Sequence, residues 1–397
     1  MANEPNPVRL KPARPSRLKA RHVADLRELA EQRLPKPIFD YLDGGSFDEI
    51  TLRDNEADFA ALRLRQRVMA DVTNRSTATQ IAGQKASIPV ALAPIGLAGL
   101  ISPHGELHAA RAAKEFGVPF CLSSFSTCSI ADIARETGEP FMFQLYIFKD
   151  RGMNEALVDQ CKDAKCSALV VTMDANVMGT RHRDAANGLT VPLKLTPQFI
   201  ASVARKPAWM HGWLTSQRRT FGNIAPFVGD GADLGTCSGW MEKNYKGSYD
   251  RKDLEWLRKH WPGKLIVKGL LDADDARAAA DLGADAIVVS NHGGRQLDRA
   301  QSAVKAIPAI RDAVGGKVEL LLDGGVRNGL DVLKALGLGA KGCLIGRAFM
   351  YGLAADGEAG VTAVLKMIAG ELDVGMALTG VRDVNKLPKG LVIGPEV

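Results

Sequence analysis

No stretch of this 397-residue chain stays apolar for the ~20 residues that a membrane-spanning helix requires, so a helical span is not expected. The N-terminus, MANEPNPVRLKPARPSRLKARH, lacks the apolar core of a secretory signal, and its four prolines oppose the amphipathic helix of a transit peptide. Residues 1–22 read as a flexible basic tail. Cysteines are sparse: Cys121, Cys128, Cys161, Cys166, Cys237 and Cys343 form no CxxC and no Cys/His metal spacing. No metal is expected, and reduced thiols in a cytoplasmic setting fit the pattern. Cys121 and Cys343 fall in strand-like runs, where core packing is their expected use.

Acidic residues are missing from 185–229, which holds Lys194, Arg205, Lys206, Arg218 and Arg219, a local charge of +5. Residues 1–24 carry six basic and one acidic side chain, another +5; the whole chain is +6, so the remainder sums to −4. The two segments read as solvated basic stretches or, because Trp209 and Trp213 lie in the second, as a contact for an anionic membrane surface, peripheral to the inner face of the cell membrane. No recognition motif accompanies the charge, so nucleic acid is not an expected partner.

What the chain does have is a rhythm of short apolar runs. They are PVALAP (89–94), PFCLSS (119–124), FMFQLY (141–146), ALVVTMD (168–174), KLIVKG (264–269), AIVVSN (286–291), VELLLDGG (318–325) and GCLIGR (342–347). Helix-period segments such as HGELHAARAAKEF and GLDVLKALGLG separate them. Continuously apolar strands alternating with helices imply a parallel sheet covered on both faces. Eight such units point to an α/β fold, a (β/α)8 TIM barrel, which typically takes about 250 residues. The barrel proper is expected over about residues 86–380, within a single domain from 23 to 385. A helical N-terminal extension precedes it, and an enlarged loop, about 185–250, follows strand 4. A doubly wound open sheet is the rival architecture.

Polar residues gather at the strand ends. Gly96 follows the first, Ser123 ends the second, and Gln144 and Tyr146 end the third. Thr172 and Asp174 end the fourth, Lys268 the fifth, Ser290 and His292 the sixth. Asp323 and Arg327 follow the seventh, and Gly346 and Arg347 the eighth. In a barrel these ends share the rim that carries the active site. DGGVRNG and IGR are glycine-rich with an arginine apiece, after strands seven and eight, where barrels commonly bind phosphate.

VVSNHGGRQLD (288–298) breaks an apolar strand with an imidazole, bare backbone and a guanidinium. Gly293 and Gly294 are read as clearing space beside His292. Arg181, in GTRHRD, offers a second guanidinium, either for a substrate carboxylate beside an abstractable proton or merely as a salt-bridge partner of Asp184.

At these residues the sequence resembles the FMN-dependent α-hydroxy-acid dehydrogenases and oxidases. SNHGGRQLD is similar to their active-site signature, and the likeness extends through DYLDGG, APIGLAG, FQLY, VVTMD, VKG, LDGGVR and IGRAF. KDLEWLRKHWPGKLIVKGLLDADDA resembles the bacterial quinone-linked L-lactate and membrane-associated L-mandelate branches. The resemblance implies His292 as base, oriented by Asp174, with Arg181 and Arg295 on the substrate carboxylate and Tyr41 and Tyr146 hydrogen-bonding the substrate. It implies flavin contacts from Ser123, Gln144, Thr172, Lys268, Ser290 and backbone near Ala93 and Gly96. Asp323, Gly325, Arg327, Gly346 and Arg347 would hold the ribityl chain and phosphate, and a homo-tetramer is implied.

The chain departs from the family pattern at Ile95, where many relatives carry a threonine, and at Gly96, often alanine in the oxidases. The missing methyl would leave room beside the substrate that Phe125 and Met178 could refill. L-Lactate is favoured, with mandelate-like acids as the alternative. The electron acceptor is expected to be quinone, with a soluble oxidase that reduces O2 to H2O2 as the alternative. Of other classes, a Schiff-base aldolase using Lys268 and a non-catalytic scaffold remain.

Overall fold

All eight apolar runs form strands, and all lie parallel in one sheet. A computed structural model describes residues 18–189 and 196–394, together with Val8 and Leu10. The strands are β1 (Val90–Leu92), β2 (Cys121–Ser123), β3 (Met142–Leu145), β4 (Ala168–Thr172), β5 (Lys264–Leu270), β6 (Ala286–Val289), β7 (Glu319–Asp323) and β8 (Gly342–Ile345). Successive strands pair, β8 returns to β1 with Cys343 opposite Val90, and a Leu92–Phe120 bridge joins β1 to β2. The ring is closed, which excludes the open sheet.

Side chains alternate across a strand, so one parity fills the barrel and the other meets the helices. Ala91, Cys121, Met142, Val170, Ile266, Val288, Leu321 and Leu344 pack together as the inner cluster. Their strand neighbours, among them Leu92, Leu122, Leu169, Val267, Val289, Leu322 and Ile345, belong to the outer core. Ile81, Ala82 and Ala86, on the hairpin of Thr79–Ile81 and Gln84–Ala86, join the inner cluster and close its N-terminal end. Two residues beyond the inner cluster, the same parity reaches Ala93, Ser123, Gln144, Thr172, Lys268, Ser290, Asp323 and Gly346. Every strand thus delivers a candidate site residue into the barrel mouth.

Ahead of the barrel lie helices α1 (Val23–Arg33), α2 (Lys36–Asp43) and α3 (Ile50–Ala61). His22 caps α1, its Nδ1 accepting from Asp25 N, while the Asp25 carboxylate takes the N–H of Arg21 at 2.7 Å. The expected tail falls mostly outside the described residues.

The loop after β4 carries, among others, α4 (Pro197–Ala204) and α5 (Pro207–Thr215). Neither helix buries a residue, although their sequences, PQFIASVA and PAWMHGWLT, are largely apolar. Ile200 is 56% exposed and Leu214 59%. Trp209 stacks on Trp213 and donates to Leu100 O at 2.9 Å. The basic reading of this segment weakens. Arg218 is buried in a bidentate pair with Asp132 at 2.8 and 2.7 Å, Lys206 bonds the Gln32 carbonyl, and Lys194 lies outside the described residues. The segment presents to solvent both apolar side chains, such as Ile200 and Leu214, and the cations Arg205 and Arg219. The last barrel helix, α6 (Arg347–Thr379), is broken at Asp356 and Gly357. All six cysteines are free and buried, as packing residues should be.

Candidate active site

β6 ends at Val289 and the chain reverses at once. His292, Gly293 and Gly294 have φ of 58°, 64° and 74°, a left-handed run that glycine adopts freely and histidine only at a cost. A Cβ on Gly293 would sit 2.7 Å from Arg347 Nη1, and one on Gly294 2.6 Å from Leu52 N. The glycines therefore do not clear space beside His292. They let the first arginine of α6 and the start of α3 close onto the loop.

His292 Nδ1 lies 3.0 Å from Asp174 Oδ1, and Nε2 lies 3.3 Å from the Tyr146 hydroxyl. Its backbone N–H donates to Ser290 Oγ at 3.0 Å. A carboxylate only accepts, so Asp174 fixes the proton on Nδ1 and leaves Nε2 as the base nitrogen. Gln296, overlooked in the sequence although it stands four residues after His292, fastens this loop: it donates to Asp174 O at 2.7 Å and Val177 O at 2.9 Å and accepts from Gly179 N at 3.0 Å. Tyr245, from the enlarged loop, was equally overlooked. Its hydroxyl donates to Ala175 O, and its ring lies 6.0 Å from Tyr146.

Lys268 is 4% exposed and bonds both Ser290 Oγ, at 2.9 Å, and the Asp323 carboxylate. Burial opposes its charge, but Asp323 and Asp174 outweigh burial and raise its pKa. Burial pushes Asp323 up, and Lys268, with Ser290 and His292 behind it, more than reverses that. Lys268 is a held ammonium. A Schiff-base nucleophile needs the free amine, so the aldolase reading fails here.

Arg295 Nη1 donates to Tyr41 O at 2.7 Å and Gly44 O at 2.8 Å, with the guanidinium 5.1 Å from the Tyr41 ring. Burial first, then the charge of Arg181, pull Arg295 down to about 9. Arg181 Nε is buried without a hydrogen-bond partner. The salt bridge to Asp184 is long, 3.8 Å, and burial raises the pKa of Asp184 beyond what Arg295 and Arg181 restore. Two crowded guanidiniums are left short of negative charge. Such a pair calls for an anion.

The Tyr41 hydroxyl donates to Gly96 O at 3.4 Å. A Cβ on Gly96 would lie 3.3 Å from Phe125 Cβ, and Phe125 stacks on Tyr146 with centroids 4.5 Å apart. The room beside Gly96 is thus taken by Phe125. Met178 is 57% exposed and is not among the atoms nearest that position.

The remaining groups suit a flavin mononucleotide. Gln144 is 1% exposed; its Oε1 accepts from Ser123 Oγ at 2.9 Å while Nε2 has no partner. Thr172 and Ser290 are buried at the same mouth, and Ala93 N is used in the barrel, on Ile345 O. Arg347 bonds Gly293 O at 2.8 Å and Gly44 O at 2.7 Å, with Nε buried and unpartnered. Gly346 opens α6 with no side-chain cap, leaving its first N–H groups for an anion. Gly325, at φ 83°, lets Asn55 O approach to where a Cβ would be 2.1 Å away. Arg327 pairs with Glu56 at 2.8 Å at the same edge. Unpartnered donors at the strand ends and bare backbone with arginines after β7 and β8 match a ring system at one side and a phosphate at the other.

The FMN-dependent dehydrogenase family matches residues 30–393. The chain is 47% identical over 373 residues to an L-lactate dehydrogenase of Caulobacter sp. (strain K31), covering 93% of this chain and 97% of that protein. In structure it is similar to the monotopic membrane protein (S)-mandelate dehydrogenase, with a TM-score of 0.91 at 35% identity over 95% of this chain and 100% of that one. It is also similar to a mandelate oxidase with (S)-4-hydroxymandelic acid, with a TM-score of 0.80 at 35% identity, covering 92% and 97%. With the closed barrel, the His–Asp dyad and the paired arginines, these matches make the chain a member of the FMN-dependent dehydrogenase family.

Proposed function

We propose that this enzyme oxidises a small L-2-hydroxy acid, L-lactate foremost, to the 2-keto acid and passes the electrons to a membrane quinone. The observation that carries the reading is the pair Arg181 and Arg295, short of counter-charge on the rim that holds the His292–Asp174 dyad. The two guanidiniums hold the substrate carboxylate, and Tyr41 and Tyr146 hydrogen-bond its oxygens. That orientation replaces an entropic cost at the reacting carbon. His292 Nε2 receives the departing proton, and Asp174 stabilises the imidazolium. Bound FMN supplies the two-electron acceptor. Ser123, Gln144, Thr172, Lys268, Ser290 and the backbone at Ala93 and Gly96 would hold its ring, and Lys268, kept charged by Asp323, sets a fixed cation there. Asp323, Gly325, Arg327, Gly346 and Arg347 would hold the ribityl phosphate.

Phe125, packed beside Gly96, favours a methyl over a phenyl side chain, and the 47% identity to an L-lactate dehydrogenase supports the same choice. The purified protein should be yellow and bleach anaerobically at lower concentrations of L-lactate than of L-mandelate. Persistent colour with both acids would end this reading. Rapid re-oxidation by air, with H2O2 released, would favour the oxidase alternative over a quinone-linked enzyme.

No helix among the described residues is long and apolar enough to cross a membrane. The exposed apolar side chains of α4 and α5 support a peripheral contact at the cytoplasmic membrane face instead. Excising 200–225 whole would also remove buried Phe221, Asn223 and Ile224, so point changes are cleaner. Combining Ile200→Ser, Met210→Ser and Leu214→Ser should weaken vesicle binding at least about tenfold while turnover of L-lactate in solution stays unchanged. Because the contact is mainly apolar, binding of the unaltered protein should persist at high salt. Release by salt alone would point to charge as the main force.

A further inference from the structure

We infer that Asp43 is a positioning residue that sets the geometry of the substrate-anion site from behind. It is the last residue of α2, where the helix dipole is negative and an acid is unfavourable. It is nonetheless kept, 6% exposed, with four hydrogen bonds on its two oxygens. Arg27 of α1 donates through Nε at 2.7 Å and Nη2 at 2.8 Å, the Tyr351 hydroxyl of α6 at 2.8 Å, and Arg183 Nη1 at 3.1 Å. These bonds fill the acceptor capacity of a carboxylate. Burial alone would push Asp43 up, but Arg27, Tyr351 and Arg183 hold it at about 2.

Apart from α1, each segment joined here carries a group of the site. Tyr41 precedes Asp43 by two residues, Arg181 precedes Arg183 by two, and Arg347 lies one helical turn before Tyr351. Gly44, next in the chain, accepts from Arg295 and Arg347 through one carbonyl, at 2.8 and 2.7 Å. Arg183 also bonds Glu49 at 2.6 Å, and Glu49 takes the N–H of Gly45 at 2.9 Å. The carboxylate therefore ties three elements, distant in sequence, into one frame around the guanidiniums.

Charge and positioning make opposite demands on the outcome. Asp43 is a negative charge behind the substrate arginines, so neutralising it would by charge alone leave substrate-anion binding unchanged or strengthen it. If it positions, neutralising it weakens anion binding. The inference rests on the reading that Arg181 and Arg295 take the substrate carboxylate; bleaching of the unaltered holoenzyme by L-lactate tests that reading by itself. In the holoenzyme, with rates taken per bound flavin, Asp43→Asn should raise KM for L-lactate at least about tenfold and lower kcat less than about threefold. Asp43→Glu should recover most of the loss. A KM that is unchanged or lower, with only a reduced Tm, would overturn the inference. Should Asp43→Asn fail to fold, Arg183→Gln removes one spoke on a half-exposed side chain. It should raise KM about threefold or more, and no change in KM there would overturn the inference equally.

Discussion

His292→Gln is expected to lower kcat by about 10²- to 10⁴-fold, the range of a lost general base, while the protein stays yellow. Glutamine keeps length and a hydrogen-bonding end toward Tyr146 and Asp174 but cannot take up a proton near neutral pH. FMN retention should hold because the groups aimed at the ring, Gln144 and Lys268, stand on other strands, and Lys268 is fixed by Asp323 and Ser290 rather than by His292. The left-handed φ of 58° remains a cost in the variant, so a modest fall in Tm is no surprise. Anaerobic stopped-flow reduction by L-lactate separates the chemical step from substrate binding. A rate within tenfold of the unaltered enzyme would remove His292 from the chemistry.

The barrel and its rim were legible because one strict period governs both. Each strand alternates inward and outward, and the first polar residue of inward parity marks the mouth: Ser123 after Cys121, Lys268 after Ile266, Asp323 after Leu321. Nothing in that rule requires knowledge of distant contacts. What escaped depends on such contacts. Arg218 reads as a surface cation until Asp132, 86 residues away, is brought against it. Asp43 carries no local signal in DYLDGG, and its role shows only when Arg27, Arg183 and Tyr351 converge on it. The glycines after His292 were correctly singled out for the wrong reason, since their packing partners, Arg347 and Leu52, lie far along the chain. Tyr245 reaches Ala175 only because of the path the enlarged loop takes, and no local pattern encodes that path.

Arg181→Met should separate function from stability most sharply. Losing one guanidinium from a buried carboxylate clamp costs about 2–5 kcal/mol, so kcat/KM for L-lactate should fall about 30- to 4,000-fold. Stability should move the other way or not at all. In the substrate-free protein, burial and the neighbouring Arg181 depress the pKa of Arg295 to about 9. A base whose folded pKa is lowered binds its proton less tightly folded than unfolded, so at neutral pH its charge works against the fold. Removing Arg181 relieves part of that repulsion. Little is forfeited in exchange, because the contact with Asp184 is 3.8 Å long and Nε has no partner. Calorimetry of the substrate-free holoenzyme at neutral pH should give a Tm equal to or above that of the unaltered protein. Adding a small carboxylate should raise Tm more for the unaltered protein than for the variant, because ligand binding stabilises only in proportion to affinity. A Tm several degrees lower with KM unchanged would instead make Arg181 a structural partner of Asp184, and the anion clamp would then need another pair of hands than Arg181 and Arg295.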